Sequence, residues 1–134
     1  MQSNDDFGKL VLRATLAILV LFHGVSKLIT GIDPIMGMVA KAGLPSAFAF
    51  LVYVGEVIAP LMILFGIWAR LGAVIVAINM IVAVALAHGA QFFTMGKTGG
   101  WALELQGFYF FTAVAVALLG AGRYSMGGRS GKWN

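Results

Sequence analysis

The chain has no cysteine. That excludes disulfides, thiolate nucleophiles, cysteine-ligated iron–sulfur or zinc sites and covalently attached haem. Any redox chemistry must then rest on a bound cofactor or on a partner. Charge is scarce as well: 10% of residues are charged and 60% are hydrophobic, with a mean hydropathy of +0.95. Soluble domains carry about 25% charged and 45–50% apolar residues. A chain of 134 residues cannot hide this much apolar surface in its own core, so the surplus faces lipid. Alternating strand patterns, internal repeats and a soluble domain are also missing. The net charge of +4 sits in loops and tails, where it sets topology and gives no reason to expect nucleic-acid binding.

Four apolar segments are present, at about 7–29, 47–68, 69–88 and 101–120. Each holds ~20 residues and, as a helix, spans ~30 Å of hydrocarbon. The expected fold is all-α: an integral membrane four-helix bundle over residues 1–126, followed by a flexible cytoplasmic tail at 127–134. The first segment reads as a retained helix, because Asp5 and Asp6 stand where a signal peptide carries positive charge. In the first loop, Asp33 can cap a short interfacial helix with Pro34 at its first position. Ile35, Met36, Met38 and Val39 would lay that helix on the membrane surface. The link at 68–70 is tight enough to make segments two and three an antiparallel hairpin. Lys9, Arg13, Arg70, Arg123, Arg129 and Lys132 fall on one side of such a bundle, against Lys27, Lys41 and Lys97 on the other. The bias places both termini in the cytoplasm.

Polar residues inside the apolar segments are few and gather toward the non-cytoplasmic ends. His23 and Lys27 lie one turn apart in LFHGVSK, on one face of the first helix. Glu56 sits mid-segment in YVGEVIAP, His88 closes the third helix, and Glu104 and Gln106 open the fourth. Ionisable groups in lipid cost about 2.5–3.5 kcal/mol each on insertion scales, and they usually mark a site. Helical phase separates Asn79 from His88 and Glu104 from Gln106. His88 and Glu104 are chosen as the inward pair, because each can meet a titratable partner. Asn79 and Gln106 then turn toward a neighbouring helix or another subunit. Lys27 can equally snorkel to the headgroups, His88 can be an ordinary interfacial residue, and Glu56 can be a purely structural partner of Lys27 or His23. Arg13 is expected to snorkel at the cytoplasmic end. Trp101 and the aromatics Phe108 to Phe111 face lipid or wall a flat hydrophobic ligand. Ala69, Ala73 and Ala77, four apart, suit close helix packing.

Several stretches together resemble the DoxX family of small bacterial membrane proteins. They are LVLRATLAILVLFHGVSKL at 10–28, AGLP at 42–45, GEVIAPLMILFGIWARLGA at 55–73, NMIVAVALAH at 79–88 and GAGRYSM at 120–126. Their order and spacing, over about 10–126, carry the resemblance. One departure is Gly127, where the family usually has an acidic residue soon after the Ser-Leu of its ending. The resemblance implies a four-helix bundle in the bacterial inner membrane, and a likeness to the membrane subunit of a thiosulfate:quinone oxidoreductase.

Two functional expectations follow. The first is a quinone-linked oxidoreductase subunit with a polar site in the outer half of the membrane. Glu56, His23 and His88 would carry its proton chemistry, while Lys27, Glu104, Asn79 and Trp101 would hold the cofactor. Its partners would be membrane lipid, a redox protein and a second copy of the chain. The alternative is a non-enzymatic protein that binds a small lipophilic ligand or serves as an assembly subunit. A haem between His23 and His88, or a divalent metal on these with Glu56 or Glu104, rests on two histidines alone, and no metal is assigned.

Overall fold

The computed structural model describes residues 2–97, 99–129 and 131–134, without the side chains of Gln2, Ser3, His88 and Ala90. Its described secondary structure is helical: α1 (Gln2–Thr30), α2 (Asp33–Lys41), α3 (Ser46–Phe65), α4 (Ala69–Ala87) and α5 (Glu104–Leu119). Three stretches, Asn4–Thr30, Ser46–Phe65 and Ala69–Ala87, are long and apolar enough to cross a membrane. The fourth, α5, has 16 residues, or ~24 Å at the α-helical rise. Three of the four expected apolar segments therefore form helices long enough to span, while the fourth, expected over 101–120, forms only the shorter α5. The polar, glycine-rich approach to it continues as a loop to Leu103.

Local chemistry explains the element ends. Gly31 stops α1 with φ 87 and donates its N–H to the Lys27 carbonyl. Gly66 ends α3 with φ 72, and the N–H groups of Gly66 and Ile67 both reach the Met62 carbonyl. Trp68, the residue before α4, is held at φ 51, an uncommon conformation for a bulky side chain. Within α3, Pro60 has no N–H to give the Glu56 carbonyl. The helix widens into a π turn over Val54–Ile58, where the Ala59 N–H bonds the Val54 carbonyl. Asp33 does not cap α2. It is the first helical residue, Ile32 holds the cap position, and no side-chain cap bond forms.

Helices α1, α3, α4 and α5 pack in a ring, each against two neighbours. The shared core is built from Leu16, Ala17 and Val20 of α1, Ala59 and Ile63 of α3, Ala73, Val76, Ala77 and Met80 of α4, and Tyr109, Ala113 and Val116 of α5. Small residues dominate, which lets backbones approach; a Cβ on Gly72 would lie 2.9 Å from the Ala59 carbonyl oxygen. Ala69 and Ala73 are fully buried and Ala77 nearly so. Part of the apolar side of α2 meets protein: Ile32, Ile35, Met36 and Val39 join Ala49, Val52, Tyr53 and Leu86 in a second cluster.

Candidate functional site

The two ends of the bundle use their ionisable groups differently. At the end holding the α3–α4 turn, Arg13 is 1% exposed. Its Nη1 donates to the carbonyls of Ile63 (2.7 Å) and Leu64 (3.2 Å), and its Nη2 to that of Tyr124 (2.5 Å). The cation thus meets the electron-rich C-terminal end of α3, which overturns the expectation that it snorkels. Asp6, also buried, pairs with Arg129 and accepts the Arg123 N–H. Residues 121–129 and 131–134, in a tail expected from sequence to be flexible over 127–134, fold back on this end. Met126 and Gly127 donate to the carbonyls of Phe65 and Gly66, and the Trp133 carbonyl receives the Arg70 N–H. A Cβ on Gly127 would lie 2.8 Å from the Gly66 carbonyl oxygen, so the glycine at the departing position makes room for this approach.

At the other end, Lys27 Nζ lies 2.5 Å from Glu56 Oε1. The carboxylate is almost sealed, its side chain 6% exposed, while that of Lys27 is 28% exposed. Asn79 Nδ2 donates to Glu56 Oε2 at 3.2 Å, and Tyr53 donates to the Lys27 carbonyl at 3.2 Å. Two glycines permit this convergence. A Cβ on Gly24 would stand 2.1 Å from the Glu56 carbonyl oxygen, and one on Gly55 would stand 2.5 Å from Asn79 Cγ. The π turn places Glu56 at its centre, and the Glu56 carbonyl, for which Pro60 supplies no i+4 donor, is the one Gly24 lets α1 approach.

The pair borders a cavity of about 230 Å³, whose lining includes His23, Lys27, Glu56, Met80, Gln106 and Tyr109. The His23 ring is exposed and meets Tyr109 edge-on at 5.9 Å. A second cavity of about 400 Å³ shares Met80 and Gln106 with the first and is otherwise apolar, running between α4 and α5 under Phe92 and Trp101. Trp101 is clipped there by its Nε1 donating to the Phe92 carbonyl at 2.6 Å.

Of the residues singled out from the sequence, the structure brings together His23, Lys27, Glu56 and, from behind, Asn79. Trp101 belongs to the apolar cavity. Glu104 is exposed, and its carboxylate folds back over Gly100; Gln106, two residues on, lines the polar cavity in its place. Helical phase sets the two apart but cannot choose between them, because α5 starts later than the apolar run suggests. The side chain of His88 lies outside the described residues. Tyr53 and the two glycines escape sequence reasoning, while Tyr109 enters it only as one of the α5 aromatics that face lipid or wall a ligand. Gly24 and Gly55 each stand beside a polar residue of interest, and Pro60 stands four after Glu56, which is the one signal that could have found the exposed carbonyl. Among the described residues no three His, Asp or Glu side chains gather at metal-binding spacing.

A model of the DoxX family matches residues 8–89, which contain most of α1, all of α2, α3 and α4, and the whole Lys27–Glu56–Asn79 cluster. A Bacillus subtilis (strain 168) protein named "Putative oxidoreductase CatD" is 30% identical over 84 residues, covering 63% of this chain and 62% of that one. The chain thus spans less than two thirds of that relative's length. No solved structure matches.

Proposed function

The chain belongs to the DoxX family, and on that premise we propose that this membrane protein is a subunit of a quinone-linked oxidoreductase. The observation that carries the reading is that the Lys27–Glu56 pair borders a cavity instead of being packed over. A charge kept only for structure gains nothing from a void beside it, whereas intramembrane ionisable groups lining a cavity are the usual mark of a site. The oxidoreductase name of the relative agrees with this class.

A quinone supplies reversible uptake of two electrons and two protons. The residues present fit it: Lys27 Nζ and the Gln106 amide are donors for its carbonyl oxygens, and Tyr109 and Met80 offer an apolar wall. Glu56 holds the ammonium of Lys27 in place and takes up or gives a proton as the charge beside it changes. His23, exposed at the rim, exchanges that proton with the outside. Electrons pass to or from a partner protein, since the chain has no cysteine to ligate a cluster. The lysine and arginine bias supports a site in the outer half of the membrane with both termini cytoplasmic, and the family resemblance supports a bacterial inner membrane.

The test is chemical. The protein is purified in mild detergent, extracted with organic solvent, and its quinone quantified by mass spectrometry. The expected result is near-stoichiometric quinone that falls at least about tenfold in Glu56→Gln, because the amide no longer fixes the lysine that makes the charge-assisted hydrogen bond. Quinone at the level of carried-over lipid in both would overturn the reading. One observation favours a second reading, a non-enzymatic binder of a lipophilic ligand: both Glu56 oxygens are already engaged, by Lys27 and Asn79. That reading keeps the ligand and drops the electron transfer.

A further inference from the structure

The polar cavity alone, at about 230 Å³, falls below the roughly 300–1,000 Å³ of ordinary ligand pockets. The apolar cavity beside it, about 400 Å³, has the opposite chemistry, and the two share Gln106 and Met80. Gln106 therefore stands on a threshold, with an ion pair and a histidine on one side and Ile81, Val84, Phe92, Trp101, Phe110 and Phe111 on the other. The floor of the apolar side is Leu103, 1% exposed, while its rim residues Ile81 and Phe111 are 56% and 67% exposed. On a helical membrane protein such a rim opens to lipid.

From these shared walls, and resting on the quinone reading above, we infer that the ligand is an amphiphile whose ring enters the polar cavity while its hydrocarbon tail lies in the α4–α5 groove. The class is a tailed quinone of the bilayer, not a water-soluble ring. It enters sideways from the lipid, past Ile81 and Phe111. Tail affinity here is not hydrophobic transfer, because lipid already solvates the tail. It comes from packing against the groove walls, so the groove governs where the tail lies and which tails fit. The Trp101–Phe92 clip closes the end of the groove and limits how the tail can run.

The test uses a benzoquinone whose prenyl-like tail carries a photoreactive diazirine near the ring, with the purified full chain in lipid nanodiscs. Labelled peptides are mapped by mass spectrometry, and co-purified quinone is measured alongside. Label is expected on the segments 81–85 and 107–111, reduced about tenfold or more by Ala85→Phe, which fills the groove from an exposed lining position. If Ala85→Phe does not yield folded protein, Ile81→Trp narrows the same opening from an exposed rim position. Glu56-dependent quinone with the tail label elsewhere, such as the groove lined by Val52 and Ile78, overturns the inference and leaves the proposed function standing. Label at 81–85 that neither filling variant reduces also overturns it. Loss of any Glu56-dependent quinone removes the proposed function, and the inference with it.

Discussion

The Arg13 end and the Lys27 end of the bundle each place ionisable groups in an apolar surround, and they resolve the cost in opposite ways. Arg13 is met by three backbone carbonyls from α3 and the tail. Lys27 is met by a side chain, Glu56, and the pair faces open space. Carbonyls cannot change charge, so the first arrangement is fixed at any pH where the protein folds. A carboxylate and an ammonium can, so the second can respond to a neighbour. Burial alone therefore does not separate a lock from a site. For Arg13 and Lys27 the nature of the partner does.

The largest effect is expected where the lock is broken. Arg13→Met leaves the Ile63, Leu64 and Tyr124 carbonyls without their donors, and should lower stability by about 3 kcal/mol. Thermal unfolding in detergent reads this. The bound quinone per folded molecule should stay at the wild-type level; its disappearance from a still-stable protein would erase the distinction between the two ends. Next comes Gly24→Ala. One methyl group against the Glu56 carbonyl pushes α1 from α3 and should cost about 2 kcal/mol, with a matching weakening of the Lys27–Glu56 pair. An unchanged unfolding midpoint would mean that the close approach at Gly24 is not needed. The smallest effect is expected for Glu104→Gln, an exposed side chain turned to its own loop. Stability should stay within about ±0.5 kcal/mol and quinone content should not move. A drop in quinone would bring Glu104 back into the site.

The fold is legible in the sequence because lipid solvation leaves a strong signal: four apolar runs with polar, glycine-bearing breaks predict the helices, and the Lys27–Glu56 region lies on them. Two things are not. The length of α5 depends on how the loop before it pairs, through Met95 and Trp101, and apolar content does not report that. The role of Arg13 depends on a carbonyl cluster assembled from segments far apart in sequence, which no local pattern of α1 reveals. The polar cavity falls between. His23, Lys27 and Glu56 stand out as rare residues, whereas Tyr109 looks like any aromatic of an apolar helix until the bundle is assembled.

The partners of Arg13 also set an order in time. They lie 50 residues away at Ile63 and 111 residues away at Tyr124. At a synthesis rate of about 5–20 residues per second, roughly 6–22 seconds separate the making of Arg13 from the making of its last acceptor. For that interval α1 carries a cation whose full set of acceptors it cannot supply alone. α1 therefore depends on α3 and the tail, both made later, to satisfy that cation. The segment around Tyr124, made after α1 and α3, closes the grip on Arg13.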